Sequence, residues 1–428
     1  MLKDIFQSYC IRGRVLSVKN IMKEELKRTS LFKDETKLSI DYTPSELPHR
    51  DEIIRKLAHL FKALIENPGG ASKKVIITGP TGTGKTAVAK RFGVMIQEVA
   101  EETNINLHYV HINCRQYRTS FMILNRVIQS FNPKFPKRGF NVSELLHILS
   151  NEILNKENAY ILLCLDEIDT LNSSSEELEI IYRLTRIEDD SFNSKQRISL
   201  ITIAKNDLFK KNLDPSISST FQCSTIHLEK YSSVQLRDIL KSRIKEAFFD
   251  GTVLNETINL ISDFAAESGD ARYALELLWA AGKYADEANS LQITPEFCRK
   301  AKVNFDPGIK REVIQDLNLH QKLILLSIAR HLKKTQKAYI TMGECQKSYS
   351  IICEEIGEGP KSYTKIWEYI KELTNISEFL STKVSRLEDK PGQTTLIRLN
   401  VPIELLEQIL ENEIKGQKSM TNVMPSFW

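Results

Sequence analysis

Residues 79–86 constrain this chain more than any other stretch. Gly79, Pro80, Thr81, Gly82, Thr83, Gly84, Lys85 and Thr86 form a complete G-x-x-x-x-G-K-[ST] loop. Such a loop works only between a buried strand and the start of a helix, so it predicts a parallel α/β core. Both neighbours are present. Lys74-Val75-Ile76-Ile77-Thr78 is an apolar, β-branched run that reads as a strand, and residues 87–94 read as a helix. The glycines let the backbone curl its N–H groups toward phosphates, and the helix start adds its positive end. Lys85 is placed to reach the β- and γ-phosphates of a nucleoside triphosphate, and Thr86 to ligate magnesium.

A chain of 428 residues has room for two or three domains of about 150 residues each. Its 41% hydrophobic and 27% charged residues suit a globular protein. No apolar run approaches the ~18 residues of a spanning helix. Lys3, Asp4, Gln7 and Arg12 interrupt the N-terminus, which argues against a signal peptide and for a cytoplasmic, nucleoid-associated protein. The seven cysteines are scattered without a C-x-x-C, which fits a reducing interior and no zinc site. Residues 1–29 carry a net +4 and residues 310–400 a further +4, so the remainder is mildly acidic. That distribution suits a nucleic-acid partner, although scattered surface charge would give the same total.

A basic arm is expected over 1–30, an alternating αβ segment over 31–230, a helical segment over 231–309 and a further unit over 310–410. A tail is expected over 411–428. Strand candidates are residues 75–78, 107–113, 160–165, 198–204 and 224–228. Strands alternating with helices imply a parallel sheet with right-handed crossovers. Beyond residue 310, Leu319, Leu323, Leu326 and Arg330 share one helical stripe, and Cys345, Tyr349, Ile352, Cys353 and Ile356 a second. A third helix turns Tyr363, Ile366, Ile370 and Leu373 inward, with Lys361, Thr364, Lys365, Glu368 and Lys371 outward. Strand candidates at 379–386 and 395–399 follow, joined by a turn at Asp389-Lys390-Pro391-Gly392. Three helices and a hairpin outline a winged helix-turn-helix, whose third helix enters the major groove with the hairpin beside it. A small helical domain for protein contacts would share much of this pattern.

Phosphoryl transfer needs more than a cradle. The apolar run 161–165 ends in Asp166-Glu167, which places two carboxylates at the carboxyl edge of the sheet. Asp166 suits the magnesium shell, and Glu167 suits orienting or deprotonating an attacking water. Asn206 ends the next strand candidate as a neutral γ-phosphate sensor, with Lys205 a weaker choice. Gly269-Asp270-Ala271-Arg272 opens a helix from which Arg272 would answer to the γ-phosphate. Alone, either would read as an ordinary turn or helix-start residue.

In order, GPTGTGKT, LDEID, IAKND, GDAR and the winged-helix pattern resemble the AAA+ initiator ATPases. They are most similar to the archaeal origin-recognition family, relatives of the eukaryotic origin recognition complex and of the cell division control helicase loader. Asp41-Tyr42-Thr43-Pro44, Leu47-Pro48-His49-Arg50, Asn113-Cys114-Arg115-Gln116-Tyr117-Arg118 and Leu319-His320-Gln321-Lys322 match further family segments. The resemblance implies an AAA+ parallel-sheet ATPase core, an all-helical lid and a C-terminal winged-helix DNA-binding domain. It implies ATP or ADP with Mg2+, adding His49, Arg50 and Tyr231 to the nucleotide residues, with Glu167, Asn206 and Arg272 catalytic. It implies recognition of double-stranded origin DNA by Lys361, Thr364, Lys365, Lys383, Arg386 and Lys390. A helical insertion around 131–145 would add Lys134, Lys137 and Arg138. The expected function is origin recognition and recruitment of the replicative helicase beside paralogous initiators, with slow ATP hydrolysis as a switch.

Two departures stand out. Residues 213–221 (Leu-Asp-Pro-Ser-Ile-Ser-Ser-Thr-Phe) lack the arginine that follows Asp-Pro in the family. An arginine finger is worth about 10³–10⁵ in rate, so this segment is expected not to activate a partner's site. At the wing, Glu388 and Asp389 precede Lys390, which weakens its grip on phosphate. Both favour an alternative: a nucleotide-bound DNA-binding regulator, a repressor of origins or promoters, with negligible turnover.

Overall fold

The computed structural model describes residues 29–171, 195–206, 224–305, 311–376, 379–386 and 393–421, together with Lys23 and a few positions between 180 and 184. Helix α1 (Asp51–Phe61) leads into β1 (Lys74–Thr78), and the phosphate loop then opens directly into α2 (Lys85–Glu102). There follow β2 (Leu107–Asn113), α3 (Ser120–Phe131), α4 (Val142–His147), β3 (Tyr160–Asp166), β4 (Ile198–Ile203) and β5 (Ser224–His227). The strands form one parallel sheet in the order β2-β3-β4-β1-β5.

Every residue of β3 is buried: the apolar run 160–165 is covered on both faces of the sheet, and Asp166 closes the strand. Val75 and Ile77 pack with Leu57, Phe61, Val88 and Phe92 on one face. Ile76, Leu163 and Leu165 pack with Ile123, Leu124 and Leu145 on the other. Because the strands are parallel, the phosphate loop after β1, Lys205 and Asn206 after β4, and Asp166 at the end of β3 all reach the same edge. β4 lies between the other two, which seats Asn206 between loop and carboxylates.

The lid comprises α5 (Ser233–Ala247), α6 (Asn255–Ala266), α7 (Ala271–Glu287) and α8 (Pro295–Phe305). Ser232 and Gln235 close a capping box at the start of α5. The chain before the core docks here: the Phe32 ring packs tilted against Phe248 with centroids 4.5 Å apart, and Asp286 accepts from Ser30 and the Leu31 N–H.

The last unit holds α9 (Arg311–Gln315), α10 (Leu319–Thr335), β6 (Ile340–Thr341), α11 (Met342–Ile356), α12 (Tyr363–Ile376), β7 (Leu380–Arg386), β8 (Gln393–Leu399) and α13 (Ile403–Thr421). Its three strands pair antiparallel in the order β6-β8-β7. Arg330 does not join the buried stripe of α10. It bonds Glu355 of α11 at 2.8 Å and Glu411 of α13 at 2.9 Å, tying the helices together from outside. Tyr363, expected inward, is 52% exposed, because it opens α12 before the first buried turn at Ile366. The expected tail begins inside α13, which continues to Thr421 and buries Ile414.

The segment expected as a helical insertion at 131–145 is instead a loop over 132–141, with α4 following. Pro133 and Pro136 cannot donate to a helical ladder, and Gly139 sits at φ 102°.

Lid and winged helix are joined by buried polar contacts. Arg299 of α8 is 1% exposed and donates to the carbonyls of Leu399 and Ala338, both at 3.1 Å. Glu256 accepts from the Ala338 N–H and Glu296 from the Ile403 N–H, each at 2.9 Å. Lys383 of β7 forms an ion pair with Asp263 of α6, which also accepts from Tyr339 and, at 2.6 Å, from Ser233 of α5.

Candidate nucleotide site

A cleft runs between sheet edge and lid. Its polar end is lined by Gly82, Gly84, Lys85, Thr86, Asp166, Glu167, Lys205 and Arg272. Its apolar end is lined by Ile40, Tyr42, Pro44, Leu47, Pro48 and Ile239. One end therefore suits phosphates and the other a nucleobase.

At the polar end the Lys85 ammonium donates to the Gly79 and Pro80 carbonyls at 2.6 and 2.7 Å. Burial pushes it below the usual lysine value; Asp166 opposes that and Arg272 adds to it. Thr86 Oγ1 donates to Asp166 Oδ2 at 2.7 Å, and the Glu167 N–H donates to Oδ1 at 2.9 Å. Burial raises the Asp166 pKa, but hydrogen bonds from His111, Thr86 and the Glu167 N–H outweigh it, and its carboxyl stays below the ordinary value. Glu167 adopts the left-handed region at φ 55°, and its Oε2 is buried with no hydrogen-bond partner among the described residues. A buried carboxylate oxygen left unpaired is costly, and a strained backbone holds it there, features common at functional sites.

The lid closes on the loop. The Ala271 N–H donates to the Gly82 carbonyl at 3.1 Å, and Asp270 caps α7 through the N–H groups of Arg272 and Tyr273. Gly82 has φ 75°, and a Cβ there would lie 1.8 Å from Asp270 Oδ1, so only glycine permits this seating. Arg272 thereby faces the loop, next to Lys85.

Of the three further nucleotide residues expected, Tyr231 lines the cleft beside Gly84. Arg50 works from behind: its Nη2 donates to the Thr83 carbonyl at 2.9 Å and its guanidinium lies 4.1 Å over the Tyr231 ring. His49 turns to the lid, with Nε2 2.8 Å from Asp238 Oδ2. Gly79, Pro80 and Thr83 form the loop behind the cleft, and Thr81 lines it. Asn206 is exposed at the end of β4.

Sequence reasoning gave no role to two residues that line the cleft or to one that stands behind Asp166. Arg115 lines it just past β2. Asp169 follows Glu167. His111 Nε2 lies 3.4 Å from Asp166 Oδ2. The period of two along β2 puts His111 and Asn113 on one face, which was the available signal.

The chain matches three family models: an AAA domain over 70–211, a Cdc6 AAA+ ATPase-type lid domain over 237–303, and a CDC6 C-terminal winged helix domain over 312–409. It is 36% identical over 409 residues to "ORC1-type DNA replication protein 2" of Sulfurisphaera tokodaii, covering 94% of this chain and 97% of that protein. The chain belongs to the ORC1-type DNA replication protein family. The similarity extends to solved members of the ORC1/Cdc6 group. Cdc6p from Pyrobaculum aerophilum superposes with a TM-score of 0.77 at 30% identity, covering 91% of this chain and all of that one. ORC1 of Aeropyrum pernix, solved in complex with DNA, gives 0.59 at 26%, with 92% and 100% covered. ORC2 of the same organism, solved as ADPNP–ADP complexes, gives 0.60 at 25%, with 91% and 100% covered. This ORC1-type chain thus has the AAA+ core, lid and winged helix expected from its motifs. Among the described residues, no helix is long and apolar enough to cross a membrane.

The expected DNA residues of this ORC1-type chain are placed unevenly. Lys134, Lys137 and Arg138 are exposed on the 132–141 loop, and Lys361 and Thr364 at the start of α12. Lys365 pairs with Glu368 at 2.8 Å, and Lys383 is committed to Asp263. The Arg386 side chain, Lys390 and the acidic residues beside it, and the segment 213–221 lie outside the described residues.

Proposed function

We propose that the chain is an ATP-switched replication initiator. It binds ATP or ADP with Mg2+ in the cleft and recognises double-stranded origin DNA with α12, the β7–β8 hairpin and the 132–141 loop. Slow hydrolysis then changes its posture as it helps recruit the replicative helicase beside paralogous initiators. The observation that carries this reading is convergence: loop, Asp-Glu pair and the lid's Arg272 line one cleft at the sheet edge, beneath a helix bonded to the loop. The Aeropyrum relatives solved with ADPNP and ADP, and with DNA, support nucleotide and DNA as its ligands.

The residues fit magnesium and a triphosphate. Thr86 and Asp166 would hold the ion, which when bound neutralises charge developing on the phosphate oxygens. Lys85 would exchange its loop carbonyls for phosphate oxygens. Glu167, with its orphaned oxygen, would orient the attacking water and accept its proton. Arg272 and Asn206 would report the γ-phosphate to lid and sheet.

Single-turnover hydrolysis by wild type against Glu167→Gln tests the switch. Loss of about 10²-fold or more in rate, with nucleotide binding retained, is expected for a general base. Genome-wide crosslinking to DNA tests the role. Enrichment at origins supports an initiator; enrichment only at promoters, with turnover indifferent to Glu167→Gln, supports the regulator. That second reading draws on Lys383, which the lid withholds from DNA in this posture.

A further inference from the structure

We infer that His111, braced by Tyr109, is a positioning residue that fixes the Asp166 carboxylate for a divalent cation; this rests on the magnesium–nucleotide reading above. The chain of contacts runs through the sheet rather than through the loop. β2 pairs in parallel with β3 so that His111 stands opposite Cys164, and Asn113 opposite Asp166. Tyr109 and His111 are two residues apart and share a face.

Tyr109 O–H lies 3.2 Å from His111 Nδ1, and His111 Nε2 lies 3.4 Å from Asp166 Oδ2. The carboxylate is an acceptor, so the Nε2 proton faces it; Nδ1 then accepts from the Tyr109 hydroxyl. Each link steadies the next: the carboxylate selects the tautomer, the tyrosine hydroxyl holds the ring angle, and the ring in turn orients the carboxylate.

The arrangement is built rather than incidental. The Tyr109 ring lies against Gly93 of α2, where a Cβ would come within 2.3 Å of it, so the phosphate-loop helix makes room for this tyrosine. The His111 side chain is 18% exposed and that of Asp166 3%. Both side-chain donors to Asp166, Thr86 and His111, meet on Oδ2. They come from different elements, α2 and β2, so the carboxylate plane is held from two directions. A histidine present only for packing would need neither the tyrosine hydroxyl nor this alignment.

The test is a magnesium titration of fluorescent-ADP binding by the full chain, with Thr86→Ala as a control that strikes the ion site directly. His111→Phe keeps a ring but removes the donor; His111→Gln restores an N–H near the Nε2 position. His111→Phe is expected to raise the magnesium concentration for half-maximal binding by about tenfold or more, the usual effect of removing such a partner. It should leave ADP affinity in EDTA unchanged, and His111→Gln should recover most of the shift. An unchanged magnesium midpoint in folded His111→Phe overturns the inference, as does an equal loss of ADP affinity with and without magnesium. Should His111→Phe fail to fold, Tyr109→Phe takes its place: a smaller shift in the same direction supports the role, and no shift overturns it. Wild type that binds no ADP at any magnesium concentration overturns the nucleotide reading itself, whereas wild type that binds ADP equally with and without magnesium overturns only the cation role inferred here, which separates the two failures.

Discussion

Side chains in this cleft act at two removes. Lys85, Thr86, Asp166 and Glu167 were legible from sequence because fixed spacing after a strand leaves their direction little freedom. His111 was not, since its place beside Asp166 depends on how β2 pairs with β3, nor was Arg115, which lies in the turn beyond β2. Arg50 shows the cost of losing such a support. It holds the Thr83 carbonyl and stacks on Tyr231, and removing it leaves that carbonyl unpaired and the ring unbraced. Arg50→Ala is expected to weaken fluorescent-nucleotide binding by about 1–3 kcal/mol in a titration at fixed magnesium. Arg50→Lys should recover little, because an ammonium cannot stack and bond as a planar guanidinium does.

Elements were read well where pattern and packing agreed. The strands fell within a residue or so of expectation, because β-branched apolar runs bounded by polar residues leave few alternatives in a sheet covered on both faces. Expectation failed where a family outline was laid over local chemistry: two prolines and a glycine make 132–141 a loop. The short β6 escaped notice because two residues carry no period of their own. The loop presents Lys134, Lys137 and Arg138 to solvent. If each neutralises one phosphate, Lys134→Ala/Lys137→Ala/Arg138→Ala should flatten the slope of log affinity against log salt for duplex DNA by about 3. An unchanged slope would remove the loop from the DNA surface.

Across the whole molecule the lid holds the winged helix by Arg299, Glu256 and Glu296, and holds the wing by Asp263. Nothing in the sequence linked Lys383 to a residue 120 positions earlier. Burial raises the Asp263 pKa, but hydrogen bonds from Lys383, Ser233 and Tyr339 bring its carboxyl below the usual 3.8. A depressed carboxylate stabilises the fold above its unfolded value and loses that contribution as pH falls through the folded value. The lock should therefore hold throughout the neutral range. Melting temperatures of wild type and Asp263→Asn are expected to differ at pH 7 and to converge only below pH 3.8. The same variant should bind duplex DNA more tightly at low salt, because it frees a lysine for phosphate. Weaker binding would mean that the pair presents the wing rather than restrains it.

The hydrogen bond from Ala271 to Gly82 joins the first turn of α7 to the phosphate loop. A nucleotide beneath that roof, on the proposed reading, would leave when α7 lifts, so its residence time would follow the opening rate of the lid as well as its own contacts. On the proposed reading, the ADP left by one turnover stays in place until the next opening. The molecule then keeps a memory of its last hydrolysis, with a lifetime written into the first turn of a single helix.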